Sequence, residues 1–330
     1  MKDLYHLFQS EGPQAVLIRF RSKPTELLDD DQLSVVTNAI RIIEGPQASL
    51  DFARHLFDDA PSEGRALALA WSQLSARDWS GAMATIENVR EPVRNWDYAC
   101  MIRSIALACL GLCQDAHSIV AEFPVTRRPT DIEFARIAVD QACNERRTVQ
   151  DLLTRYDLTS EDYAFRKVFV EQALAEPDME SLRQLLELPP VPDCPIDLVA
   201  RLVLARSDAD WHRYRELKLR AQDMRHLVFD IYATSWLGYC LEVDGELVEA
   251  QRLYVYAKKW YAQYGPTKGL AGTIALLSRI AWKRREFRES LQLANEALGL
   301  DPENSVARRV RFRSYLGTWQ IGKALASLGR

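Results

Sequence analysis

Along most of the chain, apolar residues recur every three or four positions, the period of a helix that buries one face. Leu33, Val36, Ile40 and Ile43 are one such run, and they predict a helix over 31–44. Shorter runs predict helices over 3–9, 14–21 and 48–58, with Gly45-Pro46 as the break before the last. The acids Asp29 to Asp31 stand where a helix N-terminus gains from negative charge, a reading preferred here to a metal site.

From Gly64 onward a longer period overlies the helical one. Ala70 and Ala82 are twelve residues apart, as are Ser104 and Ala116, with Trp79 three before Ala82 and Gly111 at the expected turn. The step from Ala82 to Ala116 is thirty-four, the period of a common helix-pair repeat. In the last third, Leu237, Gly238, Leu241, Gly245, Leu247, Ala250 and Ala257 are matched forty residues later by Leu277, Ser278, Ala281, Arg285, Phe287, Ser290 and Ala297. A further unit follows from Ser305, with Tyr315 and Ala324 in place.

The middle, 130–221, keeps the helical rhythm and loses the small-residue signature. Thr130 and Glu133 have capping-box spacing for a helix to about 146, and Ser160 is placed to cap another that carries Tyr163, Val168, Phe169 and Ala173 inward. A short helix is expected over 182–188. The proline-rich run 189–195 is read as non-helical, a hinge or kink. Four segments result: a helical cap with degenerate pairs (1–63), repeat pairs (64–126), degenerate pairs with the proline break (127–222), and C-terminal repeat units (223–330, near 231–270, 271–304 and 305–330).

These residues resemble the tetratricopeptide repeat (TPR) family. Gly238, Ala250 and Ala257, like Ser278, Ser290 and Ala297, match its small positions, and Pro302 its helix-ending proline. The recognisable units cover roughly half the chain. The resemblance implies an all-α fold, a right-handed superhelical solenoid of antiparallel helix pairs, whose first helices line a concave groove holding a partner's peptide or helix. It places Tyr232, Ser235 and Tyr239, then Ala275, Arg279 and Lys283, then Arg309 and Arg313 on that inner face. Arg285 departs from the pattern by standing at the turn glycine. The unit from about Ile231 is longer than the family's usual period, which implies an altered superhelical pitch there.

Composition agrees with helix and against sheet: 14 Gly and 14 Pro in 330 residues, 48% of them hydrophobic. The net charge of −4 hides an asymmetry, because residues 266–330 hold 12 Lys+Arg and 5 Asp+Glu against 30 and 41 in the residues before. Position 3 is acidic, and no apolar run has the length of a signal-peptide core or a membrane span, which predicts a cytoplasmic protein without membrane insertion. The six cysteines sit mostly in apolar helical patterns and are read as reduced core thiols.

Candidate chemistry is sparse. Cys109, Cys113 and His117 are spaced like a soft-metal face, yet Gly111 separates the first from the others and no fourth ligand is near. Asp208-Ala209-Asp210, followed by Trp211 and His212, outlines a diphosphate-sugar metal site, but its flank opens a helix rather than ending a strand. Arg308, Arg309, Arg311 and Arg313 point several ways around a helix in an acidic chain, which argues against nucleic acid. No catalytic residue, metal or cofactor is expected. The expected function is a non-catalytic scaffold or adaptor for a partner protein or peptide, its acidic segment met by Tyr232, Ser235, Tyr239, Arg279, Lys283, Arg309 and Arg313. The alternatives are a peptide-sensing regulator that changes superhelical pitch, and a helical-toroid enzyme whose site forms no motif.

Overall fold

The computed structural model describes residues 4–22, 29–87, 89, 96–122, 129–143, 163–175, 179–187, 193–264 and 267–326. Among them are nineteen α-helices, one 3-10 turn and no strand. The chain divides into two compact units, Met1–Ala209 and Asp210–Arg330.

The first unit contains α1 (Leu4–Glu11), α2 (Pro13–Arg21), α3 (Asp30–Ile43), α4 (Pro46–Asp59), α5 (Glu63–Ser75) and α6 (Trp79–Glu87). It continues with α7 (Trp96–Cys109), α8 (Cys113–Ala121), α9 (Pro129–Ala142), α10 (Tyr163–Ala175), α11 (Met179–Glu187) and α12 (Pro195–Ser207). Local sequence sets the helix starts. Gly12 and Gly45, at φ 89° and 103°, each precede a proline at the first helical position, where the missing N–H costs nothing. Asp29 caps α3 by accepting from the Gln32 N–H at 2.8 Å, as its acidic run predicts. Ser62 caps α5 in the same way.

Packing in this unit is serial. Each of α3, α5, α7 and α9 lies against the next of the four and against the helix between them. Ala66, Ala70, Leu74, Ala82, Ile86, Ala99, Ile102 and Ala106 form the core of α5, α6 and α7, and Trp71 closes toward Tyr98 and Phe134. A repeat contact invisible in the periodicity occurs in α3 and α4: the buried Ser49 hydroxyl donates to the Thr37 carbonyl at 3.0 Å and meets Ser72 Oγ of α5 at 3.0 Å. Thr37 and Ser49 are also twelve apart.

Two expectations for this unit are corrected. Cys113 and Cys143 form a disulfide linking the start of α8 to the end of α9, with Cα atoms 5.8 Å apart, so these two are not reduced thiols. Thirty residues separate them, and only the packing of α8 on α9 brings them within reach. Pro195 is not part of a non-helical run; it opens α12 at the first helical position after Cys194. Pro189, the side chains of Thr130, Glu133, Tyr163 and Val168, and Ser160 lie outside the described residues. Phe169 and Ala173 are fully buried, as expected.

The second unit contains α13 (Trp211–Asp223), a 3-10 turn (Arg225–Phe229), α14 (Ile231–Val243), α15 (Leu247–Tyr264), α16 (Thr267–Lys283), α17 (Phe287–Leu300), α18 (Ser305–Gly317) and α19 (Ile321–Ala326). From α14 onward every helix packs on its successor, and α16 also packs on α18. Ser290 repeats the role of Ser49: its hydroxyl reaches the Ser278 carbonyl at 2.8 Å and Ser314 Oγ at 2.8 Å. Gly238 is required by close approach, since a Cβ there would meet the ring of the buried Tyr254 at 2.7 Å.

Six three-residue linkers share one backbone form. Their middle residues are Arg77, Gly111, Ala209, Gly245, Arg285 and Trp319, all with φ between 57° and 88°. In five of them the third linker N–H donates to the carbonyl five residues back at 2.9 Å: Asp78 to Gln73, Leu112 to Leu107, Glu246 to Leu241, Glu286 to Ala281, Gln320 to Tyr315. This is the Schellman closure of a helix C-terminus, and it fixes where the next helix begins. Arg77 and Gly111 are separated by the thirty-four-residue period, as are Arg285 and Trp319, while Gly245 and Arg285 are forty apart. The extra length falls in α15 and α16, of 18 and 17 residues where α17 and α18 have 14 and 13.

Candidate functional site

The residues expected to meet a partner lie on the first helices of the second unit, α14, α16 and α18. Tyr239, Arg279 and Arg313 occupy equivalent positions, forty and then thirty-four apart, as do Ser235, Ala275 and Arg309. Tyr232 and Tyr239 are 44% and 38% exposed, one face of α14 seven residues apart. Ser235 is half-buried, and its hydroxyl returns to the Ile231 carbonyl at 2.8 Å. Ala275 does not face outward: it is fully buried with Ile274, Ala297 and Ala307, where a small side chain permits α16, α17 and α18 to meet.

Arg279 and Lys283 converge on an anion that the sequence reading overlooked. Glu242, near the end of α14, has a side chain only 1% exposed. Its Oε2 accepts from Arg279 Nη2 at 2.7 Å and from the Tyr254 hydroxyl at 3.2 Å, and its Oε1 lies 2.8 Å from Lys283 Nζ. Lys283 also donates to the Glu242 carbonyl at 3.1 Å. A buried carboxylate must be paired and hydrogen-bonded to be tolerated, and three donors from α15 and α16 do this here. Burial alone would depress the Arg279 pKa, but the hydrogen bond and charge of Glu242 outweigh it and hold the guanidinium above its usual value. Burial, then the Glu242 charge, drive the Tyr254 phenol well above its ordinary value. The only signal in the sequence was an acid twelve residues before a tyrosine, the offset that elsewhere marks crossing positions.

Cations and rings alternate from helix to helix. The Arg279 guanidinium lies 5.8 Å from the Tyr239 ring centroid, and Tyr239 meets Trp236 edge-on at 5.6 Å. Arg313 lies 5.3 Å from the Trp282 ring centroid. The two arginine–ring contacts each join one first helix to the next. Arg309 and Arg313 are exposed, and neither has a carboxylate at ion-pair distance among the described residues. Arg309 Nε donates to the Ser305 carbonyl at 3.2 Å. The face therefore combines two cations neutralised in part from within and two that meet solvent.

The other candidate chemistry resolves into architecture. Cys109 ends α7 and Cys113 is disulfide-bonded, while His117 Nε2 lies 3.7 Å from Asp140 of α9. Asp208 pairs with Arg183 at 2.5 Å, Ala209 is the left-handed linker residue, and Asp210 caps α13 by accepting from the Arg213 N–H at 3.1 Å. Lys218 of α13 bridges Asp244 and Glu246 at 2.7 Å each, pinning the linker after α14. No described helix is long and apolar enough to cross a membrane.

No family model matches the chain, and no curated protein matches it. Among solved structures it is similar to the APC/C hetero-tetramer Cut9-Hcn1, at 10% identity over 99% of this chain and 84% of that one, with a TM-score of 0.33. It is similar to the P58(IPK) TPR domain at 14% identity over 91% of both chains, TM-score 0.29. Naa15/Naa10 bound to HypK follows at 15% identity, 99% of this chain and 56% of that one, TM-score 0.27. At these scores the fold rests on the chain's own geometry. Serially packed helix pairs, Schellman linkers recurring at the thirty-four-residue period and small residues at the crossings give this protein a TPR-like fold.

Proposed function

We propose that this protein is a non-catalytic scaffold that holds an acidic segment of a partner protein along α14, α16 and α18. The observation that carries the reading is the bridged series of rings and cations, Arg279 on Tyr239 and Arg313 on Trp282. An arginine seated on a ring keeps its hydrogen-bonding edges for a carboxylate while losing little freedom on binding. Exposed tyrosines supply contact area beside it. Glu242 holds Arg279 and Lys283 in place, so Arg309 and Arg313 are the cations most available to a ligand.

The test uses Arg309→Glu/Arg313→Glu, which leaves the buried Glu242 network intact. Fluorescence anisotropy of labelled peptides rich in Glu and Asp should show at least tenfold weaker binding to the double variant, with an unchanged melting temperature. Wild-type binding should weaken with salt, as exposed ion pairs do. Equal affinities for the two proteins, or for a lysine-substituted peptide, would sink the reading.

A further inference from the structure

Between α13, the 3-10 turn and the pair α14–α15 lies a cavity of about 430 Å³, within the roughly 300–1,000 Å³ of small-molecule sites. All of its lining belongs to the second unit. Its depth is apolar: Leu227, Leu237, Leu241 and Leu253 are buried, and Met224 and Val228 are half-buried. The helix register explains why the space exists. Counted from the left-handed linker residues Ala209 and Gly245, Tyr214, Leu217 and Ala221 of α13 correspond to Ala250, Leu253 and Ala257 of α15, and all six are buried. α15 then continues to Tyr264, and its Tyr261 ring presses on α16 where a Cβ at Gly269 would overlap it. At the corresponding place α13 has already ended, at Asp223, and Arg225–Phe229 turn as a 3-10 helix. The final turns by which α15 covers the next pair are missing from α13, and the cavity opens there.

The polar lining residues mark the mouth: Gln222, Arg225 and Arg252 are exposed and Glu249 is half-buried. Two of these charges cancel, since Arg252 Nε lies 3.0 Å from Glu249 Oε2. The Gln222 amide donates to Glu246 at 3.3 Å. Arg225 has no acid at ion-pair distance among the described residues. A leucine-lined interior is thus joined to one uncompensated guanidinium, whose planar fork matches a carboxylate. A partner helix, about 10–12 Å across with its side chains, would lie over such a recess, whereas a slender alkyl chain enters it. We propose that this cavity binds an amphiphilic carboxylate of medium chain length, its chain among the four leucines and its head on Arg225. The site stands apart from the face of α14, α16 and α18, because Leu237 and Leu241 project from the side of α14 opposite Tyr232, Ser235 and Tyr239.

Isothermal titration calorimetry of the full chain with decanoate tests this. The expected result is saturation at one decanoate per chain, with binding about tenfold weaker for octanoate, which buries two fewer methylenes. Decyltrimethylammonium, with the opposite charge, should bind at least tenfold more weakly than decanoate. Arg225→Gln, an exposed change expected to keep the melting temperature, should weaken decanoate at least tenfold and leave decanol unaffected. Val228→Phe should fill the cavity and weaken decanoate and decanol alike; if it lowers the melting temperature, Arg225→Gln still decides. Arg309→Glu/Arg313→Glu should leave decanoate binding unchanged, which separates failure here from failure of the groove. The proposal is overturned by the absence of saturable decanoate binding, by equal affinity for the cationic amphiphile, by indifference to Arg225→Gln, or by loss of binding in the Arg309/Arg313 variant. Light scattering that shows a dimer dissolved by Val228→Phe would overturn it in favour of a second copy of the chain.

Discussion

Glu242 changes how the basic residues of the second unit are understood. Removing one member of a fully buried ion pair costs about 3–5 kcal/mol, but Arg279 and Lys283 are 24% and 32% exposed and can recover water. Glu242→Gln should therefore lower stability by about 1–3 kcal/mol in urea unfolding, and Arg279→Glu should do worse by burying two acids together. Loss of partner binding in an Arg279 variant would report unfolding as much as recognition. Tyr254 makes the network sensitive to alkali. Its phenol is held above the ordinary value of 10.0, so the folded state favours the neutral form. That contribution is complete below about pH 10 and is lost as pH rises through the folded value. The unfolding free energy should decline above about pH 10, and Tyr254→Phe should flatten that decline, as read by urea titrations at successive pH values.

At the scale of elements, the linkers between paired helices are the recurring device, and they tolerate more side chains than the family pattern suggests. A non-glycine residue in the left-handed region costs about 1–2 kcal/mol. Arg285→Gly should recover roughly 0.5–1 kcal/mol after glycine's larger entropy loss, raising the melting temperature. Gly245→Ala should cost about 1 kcal/mol, and purely for conformational reasons, because a Cβ there meets nothing within 4 Å. Opposite signs at equivalent positions of consecutive pairs, measured by thermal unfolding, are the expected signature. The crossings are less forgiving. Ser49 and Ser290 each bond across to the helix before and the helix after, so a larger side chain there would separate three helices at once.

At the scale of the whole molecule, stability in an array is a sum of local pairs and their interfaces. The Cys113–Cys143 disulfide adds a covalent constraint to one such interface, α8 with α9, closing a loop of thirty residues. On chain-entropy grounds a loop of that size contributes about 3–4 kcal/mol. Reductant should lower the melting temperature of the wild type and leave Cys113→Ser/Cys143→Ser unchanged, as followed by circular dichroism. An equal response of both proteins would show that the bond contributes nothing.

Among the described residues, the sequence by itself determined most of the secondary structure and of the repeat. Apolar period, caps and turn glycines act over a few residues, so Asp29, Gly111, Gly245 and the twelve-residue crossings of α5 to α8 and α14 to α17 could be read directly. Degenerate pairs were harder, because Thr37 with Ser49 keeps the crossing chemistry without the family's residues, and Ala209 keeps the left-handed turn without glycine. Only the tertiary structure decided what faces what. It buried Ala275, brought Cys113 to Cys143 across thirty residues, and placed Glu242 beneath Arg279 and Lys283 from a helix some forty residues earlier. Side-chain pairing across such distances depends on interhelix register, which helical periodicity within one element does not encode.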